Sequence, residues 1–393
     1  MKLSDCKNIN YKNKQISDFC KIRNGYSFKS NLYSKSGIRI IRISDVQKGS
    51  ISDDDIVYYP LELKKDFENY LLTEKDILVS LTGNVGRVAM LKTINLPAAL
   101  NQRVAAISTN SNVINKYLYY CISNDKFENQ CYDASTGGAQ KNLSTKWLAN
   151  YVVSLPHIKV QEEIVKILDS FTNLIDALNE ELSLRQKQFE YYREKLLTFD
   201  DKSVYTTLGK VGEFTRGNGL QKKDFTESGF PCIHYGQIHT SYNTSTSSTI
   251  SFCSKSLAKK LKKAKYGDLL IATTSEDVDA CCKAIAWLGE GEVAYSGDSY
   301  CFSHNENPKY MAYLFQCDMF YNQKKTSATG AKVIRVSGDS MSQFTLPIPS
   351  LKVQQSIVEK LDAFESLISS LKEEIALRQK QYEYYREKLL TFE

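Results

Sequence analysis

Two stretches of the chain place apolar residues every three or four positions without a break. The first runs Ile164, Leu168, Phe171, Ile175, Leu178, Leu182, then Arg185, Phe189, Tyr192 and Leu196. The second runs Ile357, Leu361, Phe364, Ile368, Leu371, Ile375, then Arg378, Tyr382, Tyr385 and Leu389, every position offset by 193. A sustained repeat of about 3.5 residues predicts two long helices, each with a coiled-coil seam. At about 1.5 Å per residue, the seam from Ile164 to Leu196 spans roughly 48 Å. Pro156 and Pro349 precede the helices and fit a sharp entry from a loop. Elsewhere the pattern shortens. IRIIRISDV (38–46), DILVSL (76–81), RVAAI (103–107), DLLIATT (268–274) and KAIAWL (283–288) read as strands. Thr82-Gly83-Asn84 and Gly289-Glu290-Gly291 punctuate them as turns, and 117–123 and 310–316 read as short amphipathic helices. The fold class is α+β: two mixed α/β segments in tandem, each followed by a long helix. The expected boundaries are 1–155, 156–199, 200–348 and 349–393.

The chain is a tandem repeat. LRQKQFEYYREKLLTF (184–199) returns as LRQKQYEYYREKLLTF (377–392), with only Phe189 and Tyr382 differing. The globular segments have diverged, yet Gly25 matches Gly217, Asp76-Ile77-Leu78 matches Asp268-Leu269-Leu270, and Lys116-Tyr117 matches Lys309-Tyr310. Thr136-Gly137 matches Thr329-Gly330, and Gln161 matches Gln354. The seam explains Tyr192 and Leu196. It does not explain why Lys187, Tyr191, Arg193 and Lys195 are identical to Lys380, Tyr384, Arg386 and Lys388. Two matching outer faces fit two equivalent docking sites for a partner, and the divergence of the globular parts weighs against mere copying. Arg185 and Arg378, inside the seam, fit either a register-setting polar position or pairing with a flanking Glu.

Charge sharpens the division of labour. The chain carries a formal +6. Residues 1–155 hold a net +7 and 200–348 a net +2, whereas the helical stretches are −2 and −1. Globular parts facing phosphates and helices facing protein suit that distribution. The 10 Cys are scattered, without a C-x-x-C pair, and read as free thiols. Cys232, His234 and His239 lack a second ligand pair at finger spacing and read as strand and loop residues rather than a metal site. The polar start and the absence of a spanning apolar run predict a cytoplasmic protein.

Catalytic motifs are missing. FTRGNG (214–219) and NPKY (307–310) miss the spacing of a methyltransferase cofactor turn and its N/D-P-P-Y/F loop. No G-x-x-x-x-G-K-[ST] loop occurs. Asp53-Asp54-Asp55 and Glu276, Asp277 and Asp279 read as turn residues.

The order globular segment, L-P-x-I-x-x-Q helix, globular segment, P-x-L-x-x-Q helix resembles the specificity subunit of type I restriction-modification enzymes. DILVSLTGNVGRVAM (76–90) and GDLLIATTSEDVDACCKAIAWLG (267–289) look like two varieties of that family's target recognition domain. The resemblance implies that each globular segment reads half of a split duplex DNA site. It implies that the helices pair antiparallel, set the gap and bind two methyltransferase (M) subunits, with two restriction (R) subunits able to join. S-adenosylmethionine, and ATP and Mg for restriction, would sit on those partners, and this chain would bind no cofactor and catalyse nothing. A self-contained DNA-modifying enzyme and a coiled-coil scaffold without a DNA role are the rival readings. Base readout needs amides and guanidinium groups, and phosphate contacts need cations on loops. On that ground the DNA-contacting candidates are Asn84, Arg87, Asn101, Gln102, Arg103, Gln140, Lys141 and Asn142 in the first half. In the second half they are His234, Tyr235, Gln237, Thr274, Ser275, Lys325, Thr329 and Lys332. KSLAKKLKKAK (255–265) fits either a phosphate clamp or a solvated helix face.

Overall fold

The structure, a computed structural model, describes residues 9–392 except Lys75, Ser111, Ala139 and Ala331. Two compact units emerge: Met1–Leu178 with Glu374–Glu393, and Asn179–Glu373. These do not follow the linear boundaries expected from sequence. Each unit takes one globular segment, the first half of the helix that follows it, and the last half of the other helix.

In the first unit a four-stranded antiparallel sheet runs in the order Cys20–Asn24, Val104–Thr109, Ile77–Ser80, Val88–Met90. Ile77–Ser80 is buried along its whole length, which is why it reads as an unbroken apolar run. A second sheet orders Tyr58–Tyr59, Ile38–Ile41 and Ala98–Leu100. Tyr11–Gln15 pairs with Val152–Pro156 just before the long helix. Its sequence, YKNKQ, is exposed throughout, so no hydrophobic pattern announces it. The second unit has a five-stranded sheet, Gly212–Arg216, Ser299–His304, Leu269–Ala272, Lys283–Trp287, Ser245–Thr246, beside a four-stranded one.

The residues matched between the repeats are scaffold. Asp76 accepts the Thr73 N–H at 2.8 Å and Asp268 accepts the Lys265 N–H at 2.7 Å, each closing the turn that launches a central strand. A Cβ on Gly25 would lie 2.1 Å from the Asn101 carbonyl oxygen, and one on Gly217 would lie 2.1 Å from that of Ser296. Only glycine fits either place.

The helices span Ile158–Leu197 and Leu351–Leu390. In the first unit Phe171 stacks on Tyr385 at 5.2 Å, while residues 172–176 share a cavity wall with 379–386, so the two helical stretches run antiparallel. In the second unit Tyr192 stacks on Phe364 at 5.4 Å, the same contact shifted by the repeat. Leu184 and Leu377, off the seam, are exposed. Among the described residues no helix is long and apolar enough to cross a membrane.

Each helix begins on a buried glutamine. Gln161 accepts the Ile114 N–H at 3.0 Å and donates to the Pro156 carbonyl at 2.9 Å. Gln354 accepts the Asn307 N–H at 2.9 Å and donates to the Pro349 carbonyl at 2.7 Å. Gln354→Ala would leave a buried donor and acceptor unpaired, and is expected to cost about 2–4 kcal/mol in a denaturant melt. A loss below about 0.5 kcal/mol would contradict this assignment.

Candidate functional site

The globular part of each unit is seated on its helix by one carboxylate. Asp169 takes the Lys116 ammonium at 2.7 Å and the Tyr120 hydroxyl at 2.5 Å. Asp362 takes Lys309 at 2.7 Å and Tyr313 at 2.8 Å. The copied helix segment closes the same seat. Tyr382 packs edge-on against Tyr120, and Phe189 packs edge-on against Tyr313. The single difference between the copies therefore keeps its ring contact.

With the scaffold seated, three loops meet at one edge of the central sheet. In the first unit the Leu81 N–H donates to the Arg103 carbonyl at 3.0 Å, and the Leu81 carbonyl accepts from Leu143 at 2.7 Å. Thr82 bridges Asn142, and Asn142 bridges Thr136. The Gly83 N–H donates to the Lys141 carbonyl at 2.9 Å. Segments 81–84, 101–103 and 136–143 thus form one patch. It exposes Asn84, Gln102, Arg103, Gln140 and Asn142, with Lys141 lying over the Tyr132 ring at 4.8 Å. The loop stretches 135–144 and 323–332 each include one residue, Ala139 and Ala331, that lies outside the described residues.

The second unit repeats this patch in register. The Thr273 N–H donates to the Asp298 carbonyl at 3.2 Å, Thr274 pairs with Arg335, and Arg335 bridges Thr329. Gly137 and Gly330 turn the two hairpins at φ +105° and +107°. Only glycine adopts such angles at little cost, and a Cβ would also strike the Gln140 or Val333 carbonyl. Lys332 and Thr329 are exposed here, with Lys325 exposed on the adjoining helix. Sequence reasoning missed Arg335 and the loop 296–298. For Arg335 the repeat offset of 193 carried the signal, since it maps Asn142 onto Arg335. Ser296 takes the place of Asn101 only in the fold, where each carbonyl abuts the equivalent glycine, Gly217 or Gly25.

Several candidates are committed to the fold and are corrected here. Asn101 is buried, and its amide oxygen accepts the Arg103 N–H at 3.3 Å. His234 is a buried helix cap whose Nδ1 accepts the Gly236 N–H at 3.2 Å. Burial, and then the nearby Lys222, lower its pKa. Gln237 completes that cap by accepting the His234 N–H, and donates to the Ser251 hydroxyl at 2.6 Å. Tyr235 follows the cap, with its N–H on the Ser296 hydroxyl. Thr274 is buried beside Asp298, while Ser275 next to it is partly open. Arg87 turns inward to Gln47 at 2.7 Å. The lysine-rich 255–265 stretch is helical only over Lys255–Ala258, with Lys259, Lys260, Lys262 and Lys265 exposed beyond it.

The copied outer face also divides. Arg386 donates to the Ser123 carbonyl at 3.0 Å and lies over Tyr382, and Arg193 pairs with Glu194 and lies over Phe189. Both are ties within their own unit, not free docking groups. Tyr191 and Tyr384 remain 60% and 55% exposed, with Lys195 and Lys388 over their rings and Lys187 and Lys380 open nearby. Arg185 and Arg378 each pair with a Glu one turn earlier, Glu181 and Glu374. Among the described residues no group of His, Cys, Asp and Glu is arranged to hold a metal.

Comparison with known proteins gives a consistent result. The model of the type I restriction modification DNA specificity domain matches twice, at residues 8–184 and 201–377. A putative type I restriction enzyme specificity subunit of Haemophilus influenzae is 29% identical, covering 86% of this chain and 88% of that one. The EcoR124I/EcoR124II specificity subunit of Escherichia coli is 30% identical over 70% of each chain. The crystal structure of a type I restriction-modification S subunit from M. genitalium has the same fold, with a TM-score of 0.58, 14% identity and coverage of 98% and 97%.

The hairpin glycines give a direct check. Gly330→Ala should cost about 1–3 kcal/mol of local stability. It should speed hydrogen exchange at the Thr329 and Arg335 amides while leaving Leu270 and Ile271 protected. Unchanged exchange at Thr329 and Arg335 would show that the turn does not need glycine.

Proposed function

The chain belongs to the type I restriction modification DNA specificity family, and from that premise we propose that each of its globular segments reads one half of a split, asymmetric duplex DNA site. One observation carries the proposal. The same three-loop patch, held by the same backbone bridges, occurs once in each unit and presents different side chains. The first patch offers Asn84, Gln102, Arg103, Gln140 and Asn142. The second offers Ser275, Lys332 and Arg335, with Thr329 standing where the first has Thr136. Amides, hydroxyls and guanidinium groups on an anchored backbone are what base edges require, and unlike sets imply unlike half-sites. The net positive charge of the globular segments supports a polyanionic ligand. The exposed lysines between Lys255 and Lys265 suit backbone phosphate.

The chain supplies recognition, not catalysis. Two methyltransferase subunits would dock on the equivalent faces around Tyr191 and Tyr384, and would bring S-adenosylmethionine. Restriction subunits, where they join, would bring ATP and Mg. The long helices would set the unread gap between half-sites, since each contributes to both units. Exposed tyrosines flanked by lysines are suitable anchors for such a partner, because a rigid ring buries much area at little entropic cost.

Exchanging residues 1–155 for the corresponding segment of a relative should alter one half of the methylated motif when the complex is assembled and the genome mapped. Changes in both halves, or in neither, would contradict the reading. Tyr191→Ala with Tyr384→Ala should weaken assembly with the methyltransferase subunit by at least about tenfold in sedimentation. The melting temperature should hold, because neither ring is in a core. Undiminished assembly would remove these faces from the docking model.

A further inference from the structure

The chain has eleven arginines, and all lie among the described residues. Nine spend the guanidinium inside the protein. Arg23, Arg39 and Arg42 hold Asp76, Asp53 and Asp45. Arg87 holds Gln47, and Arg216 donates to the Gly297 carbonyl. Arg185 and Arg378 hold glutamates of their own helices. Arg193 holds Glu194 and Arg386 the Ser123 carbonyl. Arg103 and Arg335 are the remaining two. Both are exposed, and neither guanidinium has a hydrogen-bond or ion-pair partner among the described residues. Both fall within the two three-loop patches, one in each unit.

Their backbones are anchored even though their side chains are open. The Arg103 carbonyl accepts the Leu81 N–H at 3.0 Å, and its N–H is held by the buried Asn101 side chain. Arg335 exchanges two hydrogen bonds with Thr329, at 2.9 and 2.8 Å, and pairs with Thr274 on its other side. An open guanidinium on a fixed backbone is suited to recognition, because only the side chain, and not the loop that carries it, remains to be ordered on binding. A phosphate contact needs only a cation, which the lysines supply. The planar fork of arginine matches the paired O6 and N7 acceptors of guanine in the major groove.

We propose that Arg103 and Arg335 are guanine-reading residues, one for each half of the DNA site. They occupy different corners of the equivalent patch. Arg103 stands at the position of Asp298, and Arg335 at the position of Asn142. The two half-sites therefore place their arginine-read guanines at different points relative to each unit. The inference rests on the DNA-reading function proposed above and specifies it.

The test is selection from a randomised duplex library by the chain assembled with its methyltransferase partner. It is run for the parent, Arg103→Ala, Arg335→Ala and the charge-keeping Arg103→Lys and Arg335→Lys. The parent should prefer guanine at one position in each half by roughly ten- to hundredfold. Each alanine variant should bring the preference at its own position close to one and leave the other half intact. Each lysine variant should hold overall affinity better while losing most of that preference. A uniform loss of affinity with every preference retained would overturn the proposal in favour of phosphate contact. So would unchanged preferences in the alanine variants, whose melting temperatures should match the parent at these exposed sites. A parent that selects no sequence at all would instead defeat the DNA-reading function itself.

Discussion

The structure depends on a packing debt that neither repeat can meet from its own contiguous sequence. Ile164 and Leu168 are fully buried in the first unit, in a core that also contains Leu389 and Phe392. Ile357 and Leu361 occupy the matching place in the second unit, in a core that contains Leu197. The first half of each helix is covered by the last half of the other. Burying a leucine or phenylalanine contributes roughly 1.5–3 kcal/mol, so several such residues on an uncovered helix would leave either core marginal. The near identity of residues 184–199 and 377–392 follows in part from this. Both copies cover equivalent surfaces, and Phe171 and Phe364 meet equivalent tyrosines.

A division between a shared frame and a variable loop patch runs through both units. The frame consists of side chains that the repeat keeps: Asp76 and Asp268 at their turns, Gln161 and Gln354 at the helix starts, Asp169 and Asp362 under the seat. Each makes buried or half-buried bonds whose loss would be felt at once. The patch loops are held chiefly by backbone bridges, with Asn142 adding side-chain ties to the Thr82 hydroxyl at 3.0 Å and the Gln140 carbonyl at 3.3 Å. The Arg335 bridge to Thr329 uses its backbone N–H and carbonyl, so its side chain can change without breaking it. That separation of backbone anchoring from side-chain identity allows two unlike chemistries on one frame.

Much of the frame was legible in the sequence. The long helices declared themselves by their period, and the central strands by buried apolar runs such as ILVS (77–80) and LLIA (269–272). The repeat offset picked out Asp76 with Asp268, Lys116 with Lys309 and Gln161 with Gln354, all of which tie the frame. Strand Tyr11–Gln15 was not legible, because YKNKQ is polar and solvated and owes its conformation to pairing with Val152–Pro156. The site was read less well. His234 and Gln237 carry the polar groups expected of base readers, yet both are consumed in capping a single helix turn, an outcome that residue type cannot reveal. Asn101 likewise looked like a reader and is instead buried, holding the backbone of Arg103. Arg335 was overlooked because VIRV reads as a short apolar strand, and only its register against Asn142 marks it as a loop-patch residue. The inward turn of Arg193 and Arg386 was hidden by the same identity that drew attention to them.

The exchanged helix ends also govern the order in which the protein can be built. Tyr11 stacks on Phe392 at 5.3 Å, although the two rings are separated by nearly the whole chain. Contacts so distant along the sequence form late and slowly, since a long loop must close before they give any return. A ribosome that has released residues 1–178 has made the first globular segment but not the stretch that covers Ile164 and Leu168. That apolar stripe must wait, exposed or shielded by a chaperone, while the entire second segment is synthesised. A message broken or a chain cleaved before residue 377 would yield a first segment with an open core, a natural target for proteolysis. Recognition of DNA by an incomplete chain is thereby discouraged at the level of folding.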